Sequence, residues 1–184
     1  MAKKRTDSRK TSRPRAGRKA TAKSKTAQGK TALIAGASGL TGGHCLEFLL
    51  DTPYYGQVHA LVRRPLDIVH PKLHQHIVDF DDPASLRAAI TADDIFCCLG
   101  TTIKKAGSRE AFRKVDFIYP ATLAREAVTR GAKRYFIITA MGSNPQSRIF
   151  YNRVKGEVEA AVRAFPYESV HIFRPSLLLG DRPD

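Results

Sequence analysis

Tyr151 and Lys155 are four residues apart in the segment YNRVK, so a helix would place the phenol and the ammonium on one face. A neighbouring ammonium favours the ionised form of a phenol, which makes Tyr151 a candidate proton donor to a carbonyl. Thr139 could hydrogen-bond the oxygen of that carbonyl, and Ser143 is the alternative. We predict a catalytic set of Tyr151, Lys155 and Thr139. The plainer interpretation is a surface tyrosine beside an unrelated lysine.

Three glycines, Gly36, Gly39 and Gly42, recur at intervals of three between a predicted strand and a predicted helix. Gly36 permits a tight turn, Gly39 lets the backbone approach a pyrophosphate, and Gly42 lets the helix pack closely on the strand. The N-terminus of the following helix offers free N–H groups and a positive dipole end. The loop therefore predicts a dinucleotide site, although its spacing differs from the usual G-x-G-x-x-G.

Two arginines, Arg63 and Arg64, follow the second predicted strand. Sites that prefer NAD place an acidic residue there to hold the ribose 2′-hydroxyl. Two guanidinium groups instead suit a 2′-phosphate, because each can form charge-assisted hydrogen bonds with it. We therefore predict NADP(H) as the cofactor. The alternative is a pair of solvated surface arginines.

The ends of the third and fourth predicted strands carry further candidates for cofactor binding. Asp79 and Phe80 end the third strand, where a carboxylate can meet the amino group of an adenine. Leu99, Gly100 and Thr101 end the fourth strand, beside the expected position of the cofactor's ribose. These positions gain a functional meaning only from the fold.

The elements that must position these residues alternate between strands and helices. Apolar stretches predict strands over 31–37, 57–63, 73–80, 94–100, 133–140 and 168–175. Helical patterns lie between them over 42–52, 83–90, 109–130 and about 149–165, with Gly131 as a C-cap. Strands that are apolar on both faces indicate an α/β fold with a doubly wound parallel sheet.

The charge of the chain is concentrated at its N-terminus. The 184 residues carry a net charge of +14, and residues 1–30 hold 12 basic residues and one acidic residue, a net of +11. That segment contains no large apolar residue after Met1, so we predict a disordered tail over 1–30 and one domain over 31–184. The tail is either solvated, or translated from upstream of the true start, or an arm for nucleic acid, which the rest of the chain is not predicted to bind.

Several classes of protein are excluded by composition. No apolar run is long enough to span a bilayer, so we predict no membrane association, and three cysteines cannot build a disulfide scaffold, which indicates a reducing cytoplasm. His70, His74 and His76 lack acidic or thiol partners at ligand spacing, so we predict no metal site. Cys97 and Cys98 should point to opposite faces of a buried strand as packing residues.

Four segments together resemble the atypical short-chain dehydrogenase/reductases of the Tat-interacting protein 2 (oxidoreductase) type: GASGLTG, CCLGTT, YNRVKGEVEA and FRPSLLLGDR. The resemblance implies a Rossmann fold, NADP(H), Tyr151 as proton donor and Lys155 on the nicotinamide ribose. It implies cofactor contacts from Ser38, Gly39, Leu40, Thr41, Arg63, Arg64, Leu99, Gly100, Pro175 and Leu178. Relatives often carry a serine where this chain has Thr139-Ala140.

The expected activity is hydride transfer between NADP(H) and an unknown small carbonyl or alcohol substrate. The alternative is a non-catalytic NADP(H)-binding regulator that acts on a partner protein. The chain ends just after the sixth predicted strand, where family members continue into a substrate lobe. We therefore expect that this lobe is missing, that NADPH binds weakly, and that turnover is impaired.

Overall fold

The structure is built on a sheet of six parallel strands in the order β3-β2-β1-β4-β5-β6. The computed structural model describes Met1 and residues 29–180. The strands are β1 (Lys30–Ala35), β2 (Tyr55–Val62), β3 (Leu73–Ile77), β4 (Asp94–Cys97), β5 (Arg134–Ile138) and β6 (Ser169–Phe173). The strand order reverses between β1 and β4, which is the topological switch point of a Rossmann fold. The predicted fold class is confirmed.

Helices connect most of these strands. They are α1 (Leu40–Asp51), α2 (Pro83–Ala89), α3 (Ile103–Ala106), α4 (Arg109–Arg113), α5 (Tyr119–Thr129) and α6 (Phe150–Arg163). The connection from β2 to β3 contains no helix. Because all six strands are parallel, their carboxyl ends lie at one edge of the sheet, which we call the carboxyl edge. The loops that follow the strands meet there.

The helix predicted over 109–130 is interrupted by a π-helical turn, Lys114–Ile118, between α4 and α5. Tyr119 N–H bonds to Lys114 O, five residues back instead of four. Pro120 follows at the start of α5, and because it has no N–H it cannot restore the regular α-helical ladder there. The prediction of one continuous helix was therefore wrong, although its end at Gly131 with a positive φ of 90° is confirmed.

The two faces of the sheet are covered unequally. On one face, α2, α5 and α6 contribute buried side chains such as Leu86, Leu123 and Val158 to the larger core cluster. On the other face, the helical members of the core all come from α1, among them Leu46 and Leu49. No helix in residues 29–180 has both the length and the apolar content to cross a membrane.

At the amino edge of the sheet, Asp94 is fully buried and ties three strands together. Its Oδ2 accepts a hydrogen bond of 2.7 Å from Tyr55 Oη, and its Oδ1 accepts one of 2.7 Å from Arg134 Nε. Arg134 Nη2 donates to Oδ2 as well. Each of these residues is the first of its strand, so the cluster lies at the amino edge, opposite the carboxyl edge.

The predicted basic tail, residues 1–30, lies outside the described residues except at its two ends. Lys30 is the first residue of β1, one position before the predicted start of the domain.

Candidate active site

The glycine loop joins β1 to α1 at the carboxyl edge. Gly36 has a φ of +90°, and a Cβ there would lie 2.6 Å from the carbonyl carbon of Cys98. A Cβ on Gly42 would lie 2.0 Å from Gly36 O, so α1 could not pack this closely with any other residue. At Gly39 an added Cβ would meet Gly36 O at 3.5 Å, an ordinary contact. The protein itself thus requires glycine at 36 and 42 and leaves the space at Gly39 open.

The first turn of α1 has no anionic partner within the described chain. Gly39 is the N-cap and provides no side-chain acceptor, and the turn contains no acidic residue. Ser38 and Gly39 are exposed, while Leu40 and Thr41 are half-buried. The helix start therefore has N–H groups and a positive dipole end available for an anion.

Arg63 and Arg64 lie directly after β2, at the same edge of the sheet. Both are exposed, and neither forms an ion pair with a carboxylate in residues 29–180. The predicted contact of these two residues with a 2′-phosphate stays a prediction.

Asp79 and Phe80 lie beyond the end of β3, which stops at Ile77. Asp79 is exposed, and its Oδ1 accepts a hydrogen bond of 2.9 Å from the N–H of Asp81. Phe80 is buried, and its ring centroid is 5.4 Å from that of Tyr119. The Phe80 side chain therefore belongs to the core, while the Asp79 carboxylate remains at the surface.

The residues after β4 cover a buried ion pair. Lys155 Nζ lies 2.7 Å from Asp116 Oδ1, and a Cβ on Gly100 would lie 3.5 Å from each of these two atoms. The N–H of Thr101 donates to Asp116 Oδ2 at 2.9 Å. Leu99 is half-buried beside them. The Leu99–Thr101 segment thus forms one wall of the site.

Asp116 comes from the π-helical turn, and Lys155 comes from α6. The Asp116 side chain is fully buried and that of Lys155 is 6% exposed. The orientation of Oδ1 gives an ion pair but not a hydrogen bond, and it is the one buried side-chain N or O atom in residues 29–180 without a hydrogen-bond partner. Burial raises the pKa of Asp116, and Lys155 and the Thr101 N–H oppose that rise only in part.

Tyr151 lies on α6 one turn before Lys155 and is half-buried. Its ring centroid is 5.4 Å from that of Phe112 on α4. The Tyr151 hydroxyl has no hydrogen-bond partner among the described residues. In this structure the partner of the Lys155 ammonium is Asp116.

Thr139 and Ser143, the two candidates for a third catalytic residue, both use their hydroxyl groups within the protein. Thr139 Oγ1 donates to Glu159 Oε1 at 2.6 Å, and Ser143 Oγ donates to Ala140 O at 2.6 Å. Glu159 also accepts from Arg174 Nε at 2.9 Å; burial acts to raise the pKa of this carboxyl, but Arg174 and Thr139 hold it below its usual range. Either hydroxyl would have to give up its present acceptor to donate to a substrate.

The segment after β6 runs back across the glycine loop. Pro175 O accepts a hydrogen bond of 2.9 Å from the N–H of Met141. Further along, a Cβ on Gly180 would lie 2.9 Å from Leu40 Cδ1 at the start of α1. Leu178, between these two points, is 38% exposed. The structure thus brings the predicted residues of this segment to the same edge as the loop.

Comparison with known proteins shows which family the chain belongs to. Residues 36–171 match the model of a family described as NAD(P)H-binding. The chain belongs to the NAD(P)H-binding family. Within that family it is 35% identical over 161 residues to Protein HTATIP2 of Rattus norvegicus, a match that covers 85% of this chain and 66% of the rat protein. The predicted family resemblance is confirmed.

A second curated protein and a solved structure are also similar to this chain. The chain is 34% identical over 153 residues to Protein FMP52, mitochondrial, of Eremothecium gossypii, covering 82% of this chain and 67% of that protein. The enzyme WbmH of Bordetella bronchiseptica, solved in complex with NAD⁺, superposes with a TM-score of 0.71 at 16% identity, over 84% of this chain and 58% of that one. The chain spans about two thirds of the length of the curated relatives it matches.

Two features of this NAD(P)H-binding domain were not predicted from the sequence: the buried position of Asp116 and a cluster of three histidines. Asp116 was hidden in a helical pattern, where an acidic residue usually faces solvent. His59 forms a contact of 2.8 Å between its Nδ1 and His76 Nε2 and stacks on His74. A strand register of His59 opposite His74 was the signal that could have found this cluster.

The structure bears on the predictions about Cys97, Cys98 and metal-ligating residues. Cys97 is buried in the core on the α5 and α6 face, and Cys98 packs on the α1 face, so their opposite orientation is confirmed. No group of three metal-ligating side chains converges in the part of the chain that the structure describes.

Proposed function

We propose that the chain is an NADP(H)-dependent oxidoreductase that interconverts a small carbonyl compound and its alcohol. The observation that carries this proposal is the placement of Lys155. Its ammonium is buried against Asp116, directly under Gly100, and lies one helical turn from Tyr151. Burying a lysine ammonium costs free energy unless the charge is paired. A buried ion pair of this kind at the carboxyl edge of a Rossmann sheet therefore favours a functional role.

The residues of the glycine loop fit a dinucleotide. The open space at Gly39 and the unpartnered first turn of α1 suit a pyrophosphate. Arg63 and Arg64 would hold the 2′-phosphate, since both are exposed and have no ion pair in the described chain. When bound, NADPH supplies the hydride.

The polar residues of α6 supply the proton chemistry. Tyr151 Oη donates its proton to the carbonyl oxygen of the substrate, because the hydroxyl has no partner that would hold it elsewhere. Lys155 orients the nicotinamide ribose and places a positive charge near the phenol. Asp116 holds Lys155 in position through the 2.7 Å ion pair.

A second candidate function is a non-catalytic NADP(H)-binding regulator that acts on a partner protein. The observation that favours it is the state of Thr139 and Ser143, whose hydroxyl groups are both donated to protein acceptors. A regulator needs no third group to hold a substrate oxygen. In either function we propose a cytoplasmic protein, although the FMP52 relatives are named mitochondrial.

Turnover distinguishes the two functions. NADPH oxidation is followed with a panel of aldehydes and ketones for the unaltered chain, Tyr151→Phe and the control Tyr54→Phe, which alters an exposed tyrosine at the amino edge. We expect Tyr151→Phe to lower turnover roughly a hundredfold or more while NADPH affinity stays nearly unchanged, because only the proton donor is lost.

The control Tyr54→Phe should keep full turnover. NADPH binding without consumption across the panel would favour the regulator, and full activity of Tyr151→Phe would assign the proton to another donor. Absence of NADPH binding would overturn both functions.

A further inference from the structure

Cys45 and Cys98 belong to different elements but lie on the same face of the sheet. Cys45 is in the second turn of α1, and Cys98 is the first residue after β4. Both pack against the core cluster beneath α1, whereas Cys97, the third cysteine of the chain, is 1% exposed on the opposite face. The fold therefore brings together two cysteines that are more than 50 positions apart and separates the two that are adjacent.

The two thiols are half-buried and border the same cavity. Both line a cavity of about 240 Å³ between α1 and the strands, whose other walls include Phe96, Phe136 and Phe173. A neighbouring cavity of about 510 Å³ shares Cys45 and Phe96 with it. Small reagents can therefore reach the pair from solvent. Cys97 also borders the 240 Å³ cavity, but it is only 1% exposed, and its side chain belongs to the core on the opposite face.

The pair is chemically asymmetric. Contact with Cys98 lowers the pKa of the Cys45 thiol, and burial opposes this only in part. Contact with Cys45 and then burial raise the pKa of the Cys98 thiol. Cys45 also lines both cavities, whereas Cys98 lines only the smaller one. Because the thiolate is the reactive form of cysteine and Cys45 is the more accessible thiol, we assign Cys45 as the nucleophile and Cys98 as the resolving thiol.

Cys98 is also part of the wall of the glycine loop. Its N–H donates to Ala35 O at 2.8 Å, and its carbonyl carbon lies 2.6 Å from the position that a Cβ on Gly36 would occupy. The backbones of Cys98 and Gly36 are thus in close contact, with no room for a side chain between them. A covalent bond from Cys98 to α1 would act on both sides of the loop, since Cys45 lies in the helix that the loop begins.

We propose that Cys45 and Cys98 form a reversible intramolecular disulfide, and that this bond weakens dinucleotide binding at the glycine loop. The oxidant is a peroxide. The Cys45 thiolate attacks a peroxide oxygen, the O–O bond breaks, and a sulfenic acid and water form from hydrogen peroxide after proton uptake. The Cys98 sulfur then attacks the Cys45 sulfur, the S–O bond breaks, and a second water leaves with the proton of Cys98. The two sulfurs are oxidised, and peroxide is reduced to water.

The experiment uses the 184-residue chain, with Cys97→Ala as the matched control and Cys45→Ser and Cys98→Ser as the loss variants. Each protein is treated with hydrogen peroxide, its intact mass is measured before and after reduction with dithiothreitol, and the linked peptides are mapped. NADPH affinity is measured for the reduced and oxidised forms. Cys45→Ser alters a partly exposed helical residue, so it keeps the test valid if Cys98→Ser fails to fold.

We expect the unaltered chain and Cys97→Ala to lose two hydrogen masses, to yield a Cys45–Cys98 peptide, and to bind NADPH about threefold or more weakly until reduced. Cys45→Ser should show neither change. Absence of a bond, a bond to Cys97, or bonds only between chains would overturn the disulfide. A disulfide without a change in affinity would overturn its coupling to the loop, which rests on the proposed cofactor site. Failure of the reduced chain to bind NADPH would instead count against the proposed function.

Discussion

Two buried carboxylates, Asp94 and Asp116, lie at opposite edges of the sheet and have different surroundings. Both oxygens of Asp94 accept hydrogen bonds, from Tyr55 and from the two-pronged guanidinium of Arg134. Asp116 has one backbone N–H on Oδ2 and only the Lys155 ammonium near Oδ1. The amino-edge carboxylate therefore accepts three hydrogen bonds, whereas the carboxyl-edge carboxylate accepts one and has an ion pair at its other oxygen.

The choice of cation explains much of this difference. An arginine fork holds a carboxylate in one plane with parallel hydrogen bonds, which suits a fixed structural contact. A lysine ammonium is a rotatable point charge, which can keep one partner while it turns towards another. The Asp94–Arg134 pair at the amino edge is therefore suited to a fixed structural contact. The Lys155 ammonium at the carboxyl edge can form further hydrogen bonds where the loops meet.

The largest effect is expected when Asp94 is removed. Asp94→Ala leaves Arg134 and Tyr55 without their acceptor, and it should lower the free energy of unfolding by about 3 kcal/mol, the lower end of the range for a broken buried pair because Arg134 is 27% exposed. Urea unfolding measures this loss. Asp93→Ala, which removes one hydrogen bond to the Thr31 N–H, is the control and should cost about 1 kcal/mol. Equal losses for the two variants would contradict a special role for Asp94.

At the carboxyl edge, cofactor preference should depend on Arg63 and Arg64, which have no ion pair within residues 29–180. We expect the chain to bind NADPH at least about tenfold more tightly than NADH, because only NADPH offers a phosphate to Arg63 and Arg64. The double variant Arg63→Ala with Arg64→Ala should abolish this preference, measured by titration of cofactor fluorescence. Arg125→Ala, on the far side of the sheet, is the control. Equal affinities in the unaltered chain would refute the assignment of NADP(H).

Asp116 should show its incomplete pairing as a pH dependence. Because its pKa is raised, the ion pair with Lys155 is lost as pH falls at a higher pH than an ordinary aspartate would require. The affinity of the unaltered chain for NADPH should therefore fall on the acidic side of its pH profile. Asp116→Asn should remove this fall and should bind NADPH about tenfold more weakly than the unaltered chain at neutral pH. Glu157→Gln, two positions after Lys155, is the control. An unchanged limb in Asp116→Asn would show that another group titrates.

The smallest effect is expected at His59, away from both edges. Burial, followed by the charges of His76 and His74, lowers the pKa of His59 to about 4. The unfolded chain takes up this proton at a higher pH, so the stability that His59 contributes is present above about pH 6.5 and is lost as pH falls towards 4. His59→Gln should reduce the fall in Tm between pH 7 and pH 5 by about 3 °C. The exposed His44→Gln should leave that fall unchanged, and an equal fall in both variants would refute the prediction.

Much of the fold followed from the sequence, because buried parallel strands need continuous apolar runs that are easy to recognise. The ends of strands were less predictable. The run DIFCCLG predicted a strand over 94–100, yet β4 ends at Cys97. The apolar pattern continues through Cys98 and Leu99, but beyond Cys97 the only pairing with β1 that we find is the bond from the Cys98 N–H to Ala35 O. Leu99 lines the site instead.

The site was predictable where residue type alone limits the structure and unpredictable where packing decides it. Gly36 and Gly42 are required by backbone geometry, so the tight turn and the close helix packing predicted for them are confirmed. The position of Asp116 depends on a helix that loses its regular period, and the placement of Cys45 and Cys98 at one cavity depends on how α1 packs on the sheet. Neither leaves a periodic signal in the sequence.

The π-helical turn at Lys114–Ile118 contains in effect one residue more than a regular helix would use for the same rise. Deleting a single residue there would let α4 continue smoothly into α5. Each residue of an α-helix advances by roughly 100°, so Asp116 and the residues before it would turn by about that angle relative to α5. The carboxylate would then no longer face Lys155, although every side chain of the site would still be present. The site thus depends on the exact number of residues in one helix as well as on their identity.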